Sequence, residues 1–342
     1  MYYFTTYFDK NYLSRGLALI HSLKEQKVEF KLFVLALDEF VFDFFSQNHT
    51  DCVTPIKLNQ LENHDKELFA AKTTRSKVEY YFTITPCLTL YILDTFAEVD
   101  MITYIDADIY FFDNPKKIFE EMKDNSVIVI PHHFSQKNES ANTYGKYNVV
   151  FNTFKKNKDG LLCLNWWREK CIEWCYDKLD EENERFADQK YIEKFPLLSD
   201  KVFVFDRPVA NLAPFNLDNV KFEYQNNIYT VNKEQLIFYH FHYLKRINEY
   251  FYEVYYPTGW DKKYFDIKAV RAVYRKYIRR LQIEESMFDL EFFNSRYKLK
   301  EVKFLDKIIY ENMLLHTIFY TKFINVKKVY QFYSKLKNKW QK

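Results

Sequence analysis

Glycine is nearly missing from this chain, with 4 in 342 residues, at Gly16, Gly145, Gly160 and Gly259. No two lie close enough to build G-x-G-x-x-G or G-x-x-x-x-G-K-[ST], which argues against a nicotinamide dehydrogenase, a P-loop nucleotidase and a protein kinase. It also argues against a sugar-phosphate nucleotidyltransferase, which opens on a glycine-rich phosphate loop. Any phosphate bound here must be held by a metal or by side chains. Cysteine is scarce as well. The 5 cysteines are an odd number, only Cys171 and Cys175 are close, and no further ligands stand at zinc spacing. Free thiols in a reducing cytoplasm suit that pattern. No uninterrupted apolar stretch approaches the roughly 20 residues of a membrane-spanning helix. The opening Met1-Tyr-Tyr-Phe-Thr-Thr-Tyr-Phe has neither a basic n-region nor a small-residue cleavage site, and it reads as a first strand.

What is present is a globular composition, 48% hydrophobic and 28% charged, long enough for one large domain or two smaller ones. The formal charge of +3 hides an uneven distribution. Residues 245–342 hold 22 Lys+Arg against 11 Asp+Glu, so an acidic body carries a basic tail. Tyr2 to Phe8 reads as a strand, and Asp9 as the cap of a helix bearing Leu13, Leu17, Ile20 and Leu23. Phe30 to Leu37 is a strand covered on both faces, followed by a helix near Phe40 to Phe45 and a strand from Val53 to Leu58. That βαβαβ order predicts an α/β fold with a mixed, mostly parallel sheet and helices on both faces. Arg75, Glu79 and Phe82 lie at helical spacing, and Pro86 is expected to start a further helix. Strands follow at Met101 to Ile105, Ser126 to Ile130, Tyr147 to Phe154, Val202 to Phe205, Asn227 to Val231 and Leu236 to Phe241. A helix is expected from Leu161 to Tyr176 and a short one from Asp188 to Lys194. His132 to Asn142 reads as a mobile loop. Beyond Tyr243 the texture turns helical, basic and aromatic, as in Ala269–Leu281 and Lys322–Trp340, with no convincing strand.

Five constellations could carry chemistry. Asp106 and Asp108 end the apolar run Met101 to Ile105, with the small Ala107 between them. Alternation along a strand sends both carboxylates the same way, at the sheet edge where open α/β folds bind ligands. Such a pair can hold a divalent cation that also grips nucleotide phosphates, or it can merely cap the next helix. His240 and His242 alternate to one face of Phe238-Tyr-His-Phe-His, as metal ligands or as structural histidines; an imidazole in the ligand set favours manganese over magnesium. Asp188 and Gln189 open a helix, as an N-cap or as a sugar-binding pair. Asn148 sits in a strand, where asparagine usually has a partner, a substrate hydroxyl being one candidate. Arg75 either pairs with Glu79 or reaches a pyrophosphate.

Taken in order, these segments resemble the nucleotide-sugar glycosyltransferases of the GT-A fold, and among them the retaining, manganese-dependent transferases of glycosyltransferase family 8 and their bacterial relatives. The resemblance spans residues 1–245. It implies that Asp106, Asp108 and His240, the last within the family's His-Phe-x-Gly, share a Mn2+ (or Mg2+) ion. It further implies nucleotide contacts from Thr5, Thr6, Tyr7, Arg75, Ala107 and Lys245. Asn148, Asn211 and His242 would face sugar or acceptor, and Asp188 and Gln189 would act at the sugar. The chain departs from the pattern in having Tyr243 where the family has glycine, Val150 where glycine follows its asparagine, and only Lys245 left of Lys-Pro-Trp.

The implied activity is transfer of a sugar from a nucleoside diphosphate sugar, with UDP the expected carrier, to a hydroxyl of a surface glycan or lipid-linked saccharide, with retention. The alternative is a non-catalytic nucleotide-sugar or membrane-binding protein on the same fold. Residues 1–244 would form the catalytic domain and 245–342 a helical, basic region. That region has three readings: a solvated cap, an attachment to an anionic membrane surface, and, least favoured without a recognition motif, nucleic-acid binding. The expected location is the cytoplasm, with peripheral attachment to the inner face of the membrane as the variant.

Overall fold

The structure, a computed structural model, describes residues 1–48, 51–246, 252–254 and 267–288. Its elements begin β1 (Tyr2–Phe8), α1 (Leu13–Glu25), β2 (Phe30–Ala36), α2 (Glu39–Gln47), β3 (Val53–Lys57), α3 (Leu58–His64), α4 (Lys66–Ala71), α5 (Lys77–Thr95), β4 (Met101–Ile105) and β5 (Ile109–Phe111). They continue with α6 (Lys116–Met122), β6 (Val127–Pro131), β7 (Tyr147–Lys155), α7 (Lys158–Glu173), α8 (Phe195–Leu198), β8 (Val202–Val204), β9 (Phe222–Gln225), β10 (Ile228–Val231), β11 (Glu234–Gln235), β12 (Phe238–His240), β13 (Leu244–Arg246), β14 (Tyr252–Val254) and α9 (Lys268–Glu285). Contacts divide the chain into two units, one of residues 1–220 with 234–240, the other of 221–233 with 241–342.

The first unit is built on a seven-stranded sheet of order β3-β2-β1-β4-β7-β6-β8. All neighbours run parallel except β7, which is antiparallel to both β4 and β6. The α/β architecture expected from the βαβαβ opening is therefore present. Five of the seven residues of β2 are fully or almost fully buried in a row, as a strand covered on both faces requires. α1 lies so close to β1 that a Cβ on Gly16 would stand 2.3 Å from the Phe8 ring, which makes this glycine a packing requirement. On the other face, α5 and α7 pack over the sheet through Ile84, Leu88, Ile92, Leu164 and Trp167, all fully buried.

Several local expectations give way to longer-range packing. Asp9 does not cap α1; its carboxylate holds the turn before it by accepting from the backbone and side chain of Asn11. Pro86 does not start a helix but lies inside α5, which begins at a Ser76–Glu79 capping box and runs through the proline. The missing N–H is tolerated because residues 83–89 are all buried, so tertiary contacts hold the turn. Arg75 precedes that helix instead of belonging to it. α7 starts at Lys158, capped by Asn157, earlier than its apolar stripe suggests. The segment His132 to Asn142 is largely taken up by a 3-10 run, Gln136–Tyr144, with Asn138 Nδ2 donating to Phe215 O at 3.2 Å.

The second unit contains the β9–β10 hairpin, turned by Asn226 and Asn227, both at positive φ. It also contains the antiparallel pair β13–β14, which corrects the expectation of no strand beyond Tyr243. α9 covers the expected Ala269–Leu281, while Lys322–Trp340 lies outside the described residues. Glu285 joins the strand pair to α9 by accepting from Tyr252 Oη at 2.8 Å and pairing with Arg246 at 3.1 Å.

A buried ion pair locks α7 to the α3–α4 corner. Asp65 caps α4 through the Leu68 N–H and receives Arg168 on both oxygens, with Nε at 2.7 Å. Burial alone would push the Asp65 carboxyl up; the Arg168 and Leu68 donors outweigh it and hold it below its usual value. Arg168→Leu leaves a buried carboxylate without its cation, and urea denaturation at pH 7 should show a loss of about 3–5 kcal/mol. Because a depressed carboxylate stabilises the fold above its unfolded pKa and loses that contribution as pH falls through its folded one, the deficit should narrow as pH falls below about 4.

Candidate metal centre

Asp106 and Asp108 follow β4, which lies between β1 and antiparallel β7. The Asp106 N–H extends the sheet by one bond, donating to Val150 O at 3.2 Å. The chain then turns through Asp108 into β5, and β5 pairs antiparallel with β12 in register His240↔Ile109. That two-stranded pairing carries the late histidine to the aspartates. His240 Nε2 stands 3.3 Å from Asp108 Oδ1 and 3.9 Å from Asp106 Oδ2. One ligand atom from each of the three residues lies within 4.8 Å of the other two, and no other trio of His, Cys, Asp or Glu among the described residues is so placed.

The electrostatics fit a cation. Burial and the Asp108 charge push the Asp106 carboxyl up, to about 6, against the opposing pull of His240 and the Tyr104 hydroxyl. Burial would lower the His240 pKa, yet Asp108 and Asp106 together raise it. Two acids and an imidazole at this spacing are a hard-to-borderline donor set, suited to manganese or magnesium.

His240 is held from behind. Its backbone N–H donates to Leu212 O at 2.8 Å, and Phe215 meets its ring edge-on at 6.3 Å. Asn211, beside Leu212, has φ +68° and is fully buried. Asn211 Oδ1 accepts from Asn148 Nδ2 at 3.1 Å, and its own Nδ2 donates to Pro131 O. Asn148 Oδ1 accepts from the Val150 N–H. The partner expected for Asn148 is thus Asn211 and its own strand, and both asparagines buttress the turn that seats His240.

Asp188 is 5% exposed and stands near enough to Asp106 for the charges to repel. Burial pushes its carboxyl up to about 7, with the Thr85 hydroxyl opposing and Asp106 adding to the rise. The Trp167 indole donates to its carbonyl at 2.8 Å, and Ala187 before it takes φ +46°, a costly conformation for a residue with a Cβ. Gln189 Nε2 donates to Tyr144 O at 2.8 Å. Gly145 (φ +139°) lets that backbone pass, since a Cβ there would stand 3.3 Å from Gln189.

Other expected residues are placed differently. Thr5 and Thr6 are fully buried, and Thr5 Oγ1 donates to Phe33 O. Tyr7 bonds Thr85 Oγ1 at 3.2 Å. Ala107 is 7% exposed between the two aspartates. Arg75 reaches the end of α7 instead of pairing with Glu79. It stacks on Tyr176 at 4.0 Å and donates to Tyr176 Oη and Ile172 O, while Glu79 caps Ser76 and accepts from the Asp177 N–H. His242 and Lys245 belong to the second unit, where His242 packs on the Tyr243 ring. Tyr243 has φ +59°, a left-handed conformation that favours glycine, at the position where the resemblance led to glycine being expected. The residues that sequence reasoning missed are Tyr104, whose Oη donates to Asp106 Oδ1 at 2.9 Å, and Thr85. Tyr104 stands two before Asp106 on one strand face, which was the available signal.

No protein-family model matches the chain. The uncharacterized protein YfnF of Bacillus subtilis (strain 168) is 30% identical over 246 residues, covering 70% of this chain and 80% of YfnF. The uncharacterized protein YfnD of the same organism is 27% identical over 282 residues, covering 82% of this chain and 89% of YfnD. Among solved structures, the galactosyltransferase LgtC in complex with donor and acceptor sugar analogs is similar with a TM-score of 0.51 at 12% identity, covering 82% of this chain and 95% of that chain. The sheet order with its one reversed strand, the acidic edge after β4 and this likeness agree: the chain belongs to the family of YfnF and has the fold of the GT-A glycosyltransferases.

Proposed function

We propose that this protein is a metal-dependent glycosyltransferase that moves a sugar from a nucleoside diphosphate, UDP being the favoured carrier, to a hydroxyl of a glycan or lipid-linked saccharide. The observation that carries this reading is the convergence of Asp106, Asp108 and His240 at the ligand-binding edge of the sheet, beside a buried acid on another segment, Asp188. A divalent cation held by the three would supply Lewis-acid stabilisation of the charge on a departing diphosphate.

The chain's own groups supply the rest. Asp188, held by Trp167 and Thr85, is placed to orient the hydroxyls of a bound sugar. Gln189 has committed its Nε2 to Tyr144, so Oε1, the negative end of the amide dipole, is the end left for a ligand. That end stabilises positive charge at an anomeric carbon, and an amide is a poor nucleophile. Both points favour front-side transfer with retention, the departing diphosphate taking the proton from the acceptor hydroxyl. Inverted configuration in the product of a defined donor would overturn retention.

The basic region suits an anionic membrane surface. α9 presents Lys268, Arg275 and Arg279 away from its buried face, with Ile283 and Met287 exposed at its end. No helix among the described residues is long and apolar enough to cross a membrane.

Three outcomes are expected. In a manganese-supplemented thermal-shift screen of nucleotide sugars, the wild-type protein should be stabilised by its donor. Asp108→Asn should abolish that shift while its own melting temperature stays within a degree or two of the wild type. By isothermal titration, the manganese Kd should rise more than tenfold between pH 7.5 and pH 5.5. The sign follows because Asp106 and His240 both hold protons more tightly than usual here and must release them to bind a cation. The protein should co-sediment with phosphatidylglycerol vesicles and not with phosphatidylcholine. The triple variant K268E/R275E/R279E should lose this binding, each cation contributing about 1 kcal/mol near the surface.

A further inference from the structure

The site contains a run of hydroxyls that the donor and cation contacts do not account for. β1 and β4 pair in parallel with Thr5 opposite Tyr104, so Tyr7, Tyr104 and Asp106 share one face of the sheet. Tyr104 Oη donates to Asp106 Oδ1 at 2.9 Å. The Tyr7 and Tyr104 rings lie 5.8 Å apart at 37°. Tyr7 Oη meets Thr85 Oγ1 at 3.2 Å. Tyr104 is thus bonded to Asp106 and Tyr7 to Thr85, and the two aromatic rings join these pairs across β4, β1 and α5.

The carboxylate of Asp106 has two oxygens with different surroundings. Oδ1 accepts from Tyr104, whereas Oδ2 is the oxygen directed to His240, at 3.9 Å. Without the tyrosine donor nothing in this chain of contacts distinguishes them, and repulsion from Asp108 would turn the group outward. Resting on the metal reading above, we propose that Tyr104 is a positioning residue of the cation site: its hydroxyl occupies Oδ1 of Asp106 and so aims Oδ2 at the gap between Asp108 and His240, with the Tyr7 ring, anchored through its hydroxyl on Thr85, packed against the Tyr104 ring.

Packing does not explain this arrangement by itself, because phenylalanine at either position would fill the same volume. Burial raises both phenol pKa values, so both hydroxyls remain donors throughout the working range. Each phenol has one proton. Tyr104 gives its proton to Asp106, and the single proton shared between Tyr7 and Thr85 holds the Tyr7 hydroxyl.

The test is manganese affinity measured without any donor, by isothermal titration and by Mn2+ electron paramagnetic resonance, on the full chain. Tyr104→Phe should raise the Kd about tenfold and Tyr7→Phe about threefold. The double variant should be no weaker than Tyr104→Phe alone, since contacts in series are not additive. Tyr80→Phe is the control: Tyr80 also donates from a buried position, to Glu62 at 2.9 Å, but away from the site. It should lower the melting temperature and leave the Kd unchanged. A Tyr104→Phe protein whose Kd stays within twofold of wild type, or whose melting temperature falls as in Tyr80→Phe with no change in Kd, overturns the positioning role. Strictly additive effects overturn the serial chain. Wild-type protein that binds no manganese overturns the metal reading itself, and with it the role of Tyr104; the wild-type titration separates that failure from the other.

Discussion

Two carboxylates at a strand end repel each other, and the fold spends several independent features on keeping them together. β4 is clamped between β1 and β7, so Asp106 leaves the sheet from a backbone fixed on both sides. Asp108 is turned back by β5, whose partner is β12. His240 stands between the acids because β12 is fixed by Leu212, and Leu212 by a turn that three asparagines stabilise. Each support comes from a different part of the chain. Removing the repulsion would make most of them unnecessary, and a cation does remove it.

The same logic applies to the polar groups around the acids. Asn148, Asn152, Asn211 and Asn216 are all buried, in positions where apolar residues would be simpler to accommodate. Asn216 donates to His132 O and Asn211 O and accepts from the Ala213 N–H. An interior polar network of this kind rigidifies the segments it joins and specifies one arrangement of them. Here it specifies the height of β12 relative to β5. The strained Ala187 and the pinned Asp188 carbonyl do similar work on the other side of the site.

Much of this was legible in the sequence, and the exceptions share a cause. An apolar run ending in Asp-x-Asp announces a buried strand with acids at its edge, since local pattern and burial agree there. β2 is equally plain. Pro86 misled because the local rule places proline at a helix start, while the burial of both flanks lets α5 continue through it. Arg75 misled because its partner Tyr176 lies far along the chain, and no spacing rule links them. β13 and β14 are three residues each, too short for alternation to rise above a basic and aromatic background. Asn148 was noticed for the right reason, an amide in need of a partner, whereas Asn211 was singled out only through the family resemblance. What the sequence could not tell is that they are each other's partner.

The pairing of β5 with β12 also sets an order of events during synthesis. Asp106 and Asp108 leave the ribosome well before His240, and the turn that seats the histidine comes just ahead of it. Until β12 has emerged and closed on β5, the nascent chain has the acidic edge but not the third ligand. The three side chains of the candidate centre thus come together only after the strands of the sheet beneath them have been made.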